Sequence, residues 1–275
     1  MDLKRKNLYE IPFFHRFHPV QLSEMHTTTH MNQSSTPTVR LGKLTRREFR
    51  NRMQNGELKA CILPVAAIEQ HLEHMAMEHD WRSVNVMAEQ TAARLSPHVL
   101  VTEGLMAGIS EHHMRHPGTL TLKPGVFLSV VSDLIESLVR AGFQNILVLN
   151  GHGGNVIPCQ QTWDQFLRYF QVNLHFMSYW DVLTQQDAEE LLTSGHRLPE
   201  DLPGHAQEFE TSVALKWFPE NVRQDALTDQ QDHTPAEATM EKGEAFTQRI
   251  VDRLTDYLND MIDGKRVQPV PPFHP

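Results

Sequence analysis

The sequence predicts an α/β fold, a three-layer αβα sandwich with a mostly parallel central sheet. Two patterns lead there. Short apolar, β-branched runs alternate along the chain with helix-forming segments, the order that produces a parallel sheet covered on both faces. One of those runs, Ile146 to Leu149, stops on the string Asn150-Gly151-His152-Gly153-Gly154-Asn155. A buried strand that ends in a glycine-rich turn is where open α/β sheets gather their chemistry.

The elements follow in order. Residues 1–38 carry His15, His18, His26 and His30 in a polar, Ser/Thr-rich context and read as an extension or arm. Residues 39–265 form one domain, because no repeat or linker interrupts them. Leu41 to Asn55 is helical, with Thr45 as N-cap and Glu48 at the capping-box position. Ala60 to Ala67 is a buried strand, and a loop rich in ionisable groups runs from Ile68 to Asp80. Ser83 to Leu95 is a helix stopped by Pro97, and His98 to Glu103 a short strand. A histidine-rich loop, Gly108 to Thr121, precedes an amphipathic helix from Val126 to Ala141 that Gly142 closes. After the Asn145–Leu149 strand come a helix from Pro158 to Phe170 and a strand from Val172 to Ser178. Thr184 to Leu202 mixes a short helix with loop. Thr211 to Trp217 and Glu237 to Met261 are the last helices, and residues 266–275 are a proline-rich tail.

Composition narrows the function. The chain has 275 residues, 40% hydrophobic and 21% charged, with a net charge of −9 spread without long acidic blocks. That balance suits a soluble protein handling a small-molecule substrate, with no nucleic-acid partner. No apolar run approaches membrane-spanning length, and the patch Ile11 to Phe14 is too short for a signal-peptide core. Two cysteines, Cys61 and Cys159, make no disulfide framework, so the cytoplasm is the expected location.

Three groups of residues could carry chemistry. Glu69 and His71 lie two apart just past a predicted strand, with Asp80 ahead of a helix. Carboxylates and imidazole are ligands for zinc, manganese or iron(II), although for this group alone an ordinary polar loop with Asp80 as helix cap is the better account, since Glu-x-His is a weak motif. His152 is the second group. The turn around it has no Lys, Ser or Thr, which excludes a phosphate loop of the usual kind. The third is His205, Glu208 and Glu210, where the acids also suit the first turn of a helix. All three groups sit at strand ends or helix starts, which converge on one face of a parallel sheet.

With these strings in view the chain resembles the creatininase (creatinine amidohydrolase) family. LPVAAIEQH (63–71) with Asp80, GISEHHMRHPGTLTL (108–122), LVLNGHGGN (147–155) and HAQEFETS (205–212) carry the resemblance. MSYWDVL (177–183) and Glu241-Lys242-Gly243 add to it, so that it spans roughly 41–258. It implies a pair of divalent metals sharing a bridging carboxylate and a water, zinc foremost, with manganese or iron(II) as alternatives. Glu69 and His152 would hold one metal and His71 part of the other, with Asp80 as the bridge. His205 would shuttle a proton to the leaving nitrogen. His113, Trp180, Gly153 and Gly154 would border the substrate, while Asn150 and Asn155 hold the turn in shape.

The pattern also departs from the family. Creatininase has a glutamate ligand at the position of Gly154, and Glu208 is expected to replace it, marking a Gly-Gly-loop subgroup. His116 stands in place of a phenylalanine near the mouth, and Asp201 in place of a second tryptophan. The expectation is a binuclear hydrolase of a small non-peptide amide, cyclic amides foremost, assembling as a homo-oligomer (a hexamer by resemblance). Alternatives are hydrolysis of another bond at the same site, a keto-sugar carbon–carbon bond or a peptide bond in a precursor, and a protein that binds metal or a small molecule without catalysis.

Overall fold

The computed structural model describes residues 38–193 and 202–273. Along the chain these form α1 (Arg46–Gln54), β1 (Ala60–Val65), α2 (His79–Arg94), β2 (Val99–Val101), α3 (Pro124–Ala141) and β3 (Asn145–Asn150). They continue with α4 (Gly153–Tyr169), β4 (Asn173–Ser178), α5 (Gln185–Leu191), α6 (Glu208–Trp217) and α7 (Met240–Ile262), with short 3-10 turns between. The four strands make one sheet in the order β2-β1-β3-β4, and every neighbouring pair is parallel.

Alternate residues of each strand enter different cores. Ala60, Ile62, Val99, Val101, Leu147 and Leu149 pack under α2, α5, α6 and α7. Cys61, Leu63, Val65, Leu100, Ile146 and Val148 pack under α3 and α4, with Phe49 and Met53 of α1 at the margin. Strands covered on both faces read as unbroken apolar runs, which is why the sequence reveals them so readily. Three layers result, as expected.

The crossovers from β1 and β3 leave in opposite directions along the sheet. α2 leads from β1 to β2, and α4 leads from β3 to β4. Their last residues, Val65 and Asn150, are register partners. The crevice beyond that pair is the switch point at which doubly wound sheets bind ligands.

Several ends confirm the local reading. Glu48 N–H donates to Thr45 Oγ1 at 3.3 Å, and Thr45 N–H donates back to Glu48 Oε2 at 2.7 Å. Gly142, at φ 110°, ends α3 in the left-handed conformation that glycine adopts without steric cost. Three helices, however, begin three to five residues earlier than predicted. α2 starts at His79 rather than Ser83, α4 at Gly153 rather than Pro158, and α6 at Glu208 rather than Thr211. First-turn N–H groups need no intrahelical partner, so a polar or glycine-rich first turn carries no apolar period to betray it. Pro158 lies inside α4, where it forgoes the bond to the Gly154 carbonyl.

The proline-rich tail lies along the start of β4. Asn173 Nδ2–H donates to the Arg266 carbonyl and Gln268 N–H to Asn173 Oδ1, at 2.9 and 3.0 Å. The N-terminal extension, except Thr38, and Asp201 fall outside the described residues.

Candidate metal centre

Four loops and helix starts meet at the switch point. The segment after β1 supplies Glu69 and His71, and the first turn of α2 supplies His79 and Asp80. The turn after β3 supplies His152, which is the N-cap residue of α4. The first turn of α6 supplies Glu210. Glu69, His71, His79, Asp80, His152 and Glu210 are all at most 3% exposed. So many buried ionisable groups in one place need compensation from one another or from a bound ion.

Asp80 stands between two imidazoles. His71 Nε2 is 3.0 Å from its Oδ1, and His152 Nδ1 is 2.9 Å from its Oδ2. The opposite nitrogens of both rings are occupied. His71 Nδ1–H donates to the Glu69 carbonyl, and His152 Nε2–H donates to the Ile109 carbonyl, each at 3.0 Å. Glu69 Oε1 adds a second carboxylate 3.3 Å from His152 Nδ1. A neutral imidazole has one N–H, already spent on a carbonyl, so the nitrogen facing the carboxylates requires either a second proton or a cation.

The electrostatics agree. Burial opposes charge on both rings, but Asp80 raises His71 to about 9, and Asp80 with Glu69 raises His152 to about 10. Burial also works against ionised Asp80 and Glu69, and the two imidazoles outweigh it and hold both carboxyls low. Glu210 differs: burial pushes it up to about 8, with His71 only partly opposing. Its Oε2 accepts from Ala206 N–H at 2.6 Å and lies 3.8 Å from His71 Nε2.

These donors fit divalent cations. Borderline nitrogens and hard oxygens are the set zinc and manganese take. Glu69 Oε2 is buried without a hydrogen-bond partner among the described residues, an acceptor that a cation would satisfy. His71, His79, Asp80 and Glu210 offer donor atoms within 4.8 Å of one another, as do Glu69, His112 and His152, and Glu69, His71 and His205.

Glu208 is elsewhere, which corrects one expectation. Its carboxylate accepts from Thr193 N–H at 2.9 and 3.0 Å and pairs with Lys242 of α7. Successive helix residues turn about 100°, so Glu208 and Glu210 point to nearly opposite sides of α6. With the helix expected only from Thr211, the sequence assigns Glu208 and Glu210 no opposite faces, and the observed start at Glu208 does. The signal for Glu210 was present, since it is the glutamate of the Glu-Thr-Ser string.

A cavity of about 360 Å³ opens over the cluster, bordered by His113, His152, Gly153, Trp180, His205 and Glu210 among others. His113 and His205 are stacked, with centroids 4.4 Å apart. Gln70 orders them both. Its Oε1 accepts from Leu72 N–H at 3.0 Å, which fixes the amide, and its two N–H groups donate to His113 Nδ1 and His205 Nε2 at 2.9 and 2.7 Å. The remaining N–H of each ring is thereby turned toward Glu69 Oε1, 3.6 Å from His113 Nε2 and 3.8 Å from His205 Nδ1. Burial, followed by the nearby His71, lowers His205 to about 4.

The glycines divide in role. A Cβ on Gly154 would lie 2.0 Å from the Ile109 carbonyl oxygen and 2.5 Å from His152 Nε2, so this backbone leaves no room there for a carboxylate side chain. A Cβ on Gly153 would meet nothing within 4 Å. Asn150 and Asn155 hold the turn: Asn150 Nδ2–H donates to the His152 carbonyl at 2.8 Å, and Asn155 Oδ1 accepts from Ile109 N–H at 3.0 Å. His116 is exposed and borders a neighbouring groove with Gln70, Glu73 and Asp229 instead of the metal cavity. Sequence reasoning missed His79, His112 and Gln70, none of which stands out without the fold.

The family model "Creatininase: Creatinine amidohydrolase" matches residues 42–236. Creatinine amidohydrolase of Pseudomonas putida is 30% identical over 210 residues, covering 72% of this chain and 78% of that protein. The 3-dehydro-scyllo-inosose hydrolase of Thermotoga maritima is 31% identical over 189 residues, covering 68% of this chain and 58% of that one. Two solved creatininases, an engineered variant described as Zn-Zn type and a Mn form, superpose with a TM-score of 0.70 at 27% identity, covering 82% of this chain and 98% of theirs. The parallel four-stranded sheet flanked by helices agrees with these matches: the chain belongs to the creatininase family of amidohydrolases.

Proposed function

We propose that this protein is a hydrolase that uses two divalent cations to open a small, cyclic, non-peptide amide at its C–N bond. The observation that carries the reading is the Asp80 carboxylate, with one oxygen turned to His71 and the other to His152. Glu69, His152 and Asp80 Oδ2 would hold one cation, and His71, Asp80 Oδ1 and Glu210 the other. Bound there, the pair supplies an acidified water and polarises the scissile carbonyl, zinc being the first candidate and manganese or iron(II) the alternatives.

The chain's own residues do the rest. A cavity of about 360 Å³ suits a small ring. Trp180 offers an apolar wall, and the open face at Gly153 lets a substrate approach the backbone. His205 is the proton shuttle. Its Nδ1–H faces Glu69 across the site, and uptake of a second proton at Nε2 requires the Gln70 amide to let go. That exchange ties proton transfer to a movement of one side chain.

The Thermotoga relative supports a second reading, because it is 31% identical to this chain against 30% for the creatinine hydrolase, while its name describes a ring ketone as substrate. In that case the same centre would cleave a carbon–carbon bond beside a carbonyl. A homo-oligomer, hexameric as the family resemblance suggests, and a cytoplasmic setting complete the proposal. The two buried, unpaired cysteines, and the lack of any membrane-length apolar helix among the described residues, are compatible with that setting.

Metal analysis of the purified protein tests the core of the proposal. Two equivalents are expected, with Asp80→Asn losing both, and activity on a panel of cyclic amides, hydantoins, formamides and ring ketones should vanish with chelator. Full metal content in Asp80→Asn would sink the binuclear reading.

A further inference from the structure

His79 is the first residue of α2 and is fully buried, yet neither of the two ligand sets proposed above includes it. Its ring is wedged between His71, with centroids 5.0 Å apart, and Phe218, at 5.7 Å. Ser83, one turn along α2, engages its Nε2 at 3.1 Å. Its Nδ1 is buried and has no hydrogen-bond partner among the described residues. A buried ring nitrogen left unpaired is uncommon, because its desolvation is not offset. This one belongs to a group in which the donor atoms of His71, His79, Asp80 and Glu210 all lie within 4.8 Å of one another.

We propose that His79 is a ligand of the second cation, through the nitrogen that Ser83 does not engage, completing a set of two imidazoles and two carboxylates with His71, Asp80 and Glu210. The inference rests on the binuclear reading above and adds a residue to it. Ser83 then has the role that outer partners of metal-bound histidines commonly have: it takes the other ring N–H and fixes both tautomer and ring angle. The two sites become unequal. The second has two nitrogen and two oxygen donors and is four-coordinate from protein atoms alone, the environment that favours zinc or cobalt over manganese. The first, with Glu69, His152 and a share of Asp80, has open positions beside the cavity where substrate arrives. The second cation is accordingly the more tightly held and the first the exchangeable one.

Cobalt(II) titration of the metal-stripped wild type and of His79→Phe, followed by visible absorption, tests this. Phenylalanine keeps the ring between His71 and Phe218, and the Tm of the stripped variant checks that it folds. In wild type two equivalents should bind, the tighter with a four-coordinate spectrum. In His79→Phe the affinity of that equivalent should fall at least as far as the roughly 10–100-fold that loss of an outer-shell partner costs, and its absorption should change, while the weaker equivalent is unaffected. Unchanged affinity and spectrum for both equivalents would overturn the role of His79 and leave the binuclear reading standing. Fewer than two equivalents in wild type would overturn the binuclear reading itself. A crystal structure of the zinc-loaded wild type decides the point if the variant does not fold. A His79 nitrogen at about 2.0–2.1 Å from zinc upholds the assignment, and a ring turned away from the metal refutes it.

Discussion

Glu208 and Glu210 are two residues apart on α6, and their opposite directions give them different work. Glu208 ties α6 to Lys242 of α7, while Glu210 lies 3.8 Å from His71 Nε2. Glu210→Gln should therefore lose the second equivalent of metal, with turnover falling by more than the roughly 10–100-fold typical of outer-shell changes. Glu208→Gln should keep both metals and lose only stability. Reversed results in metal analysis would return Glu208 to the ligand set. Gln70 offers a second prediction at this scale. Its amide fixes the tautomers of His113 and His205, so Gln70→Leu should leave metal content intact and reduce kcat by roughly 10–100-fold. The histidine ¹⁵N spectrum should show mixed tautomers at both rings. A purely structural role for Gln70 would leave those signals unchanged.

At the scale of the element, the start of α4 separates what packing demands from what the substrate meets. Gly154→Ala would drive a methyl into the Ile109 carbonyl and the His152 ring. It should cost roughly 1–3 kcal/mol and lower the Tm by several degrees. Gly153→Ala, facing open space, should leave the Tm unchanged or slightly raised and increase KM, because the methyl enters the cavity. Equal Tm losses in the two variants would contradict the close approach at Gly154. The same helix explains what the sequence revealed. Ile146 to Leu149 is buried on both faces, so its apolar run exposed the strand, and the turn after it located the site. The first turns of α2, α4 and α6 bear charge or glycine because they face the cavity, and that is what hid them. His71, Asp80 and His152 were identified as candidates from strings alone. Choosing Glu210 over Glu208 required the rotational phase of α6, which depends on where the helix begins, and His79 required knowing which side of α2 meets His71.

At the scale of the whole molecule, the centre joins both halves of the sheet to α2 and α6, so its protonation state bears on global stability. Stripped of metal, the folded protein holds His71 up to about 9 and His152 up to about 10, against an ordinary value of 6.5. Glu210 is held up to about 8 against 4.5. Each of these groups binds more protons folded than unfolded over part of the range above pH 6.5, so stability must fall as pH rises there. The imidazolium contribution is fully present below pH 6.5 and is lost as pH passes 9 to 10; the Glu210 penalty has grown to its full size by about pH 8. His205, lowered to about 4, acts in the opposite direction, but only below pH 6.5. Thermal unfolding of the stripped protein should therefore show a Tm that declines by several degrees between pH 6.5 and 10. With zinc bound, the cations replace the protons at His71 and His152, so the profile should be nearly flat over the same interval. Zinc binding should release protons, and its apparent affinity should climb with pH. A stripped protein whose Tm is constant from pH 6.5 to 10 would mean that the two imidazoles are not held as cations by Asp80 and Glu69, and the electrostatic basis for a paired metal centre would fail with it.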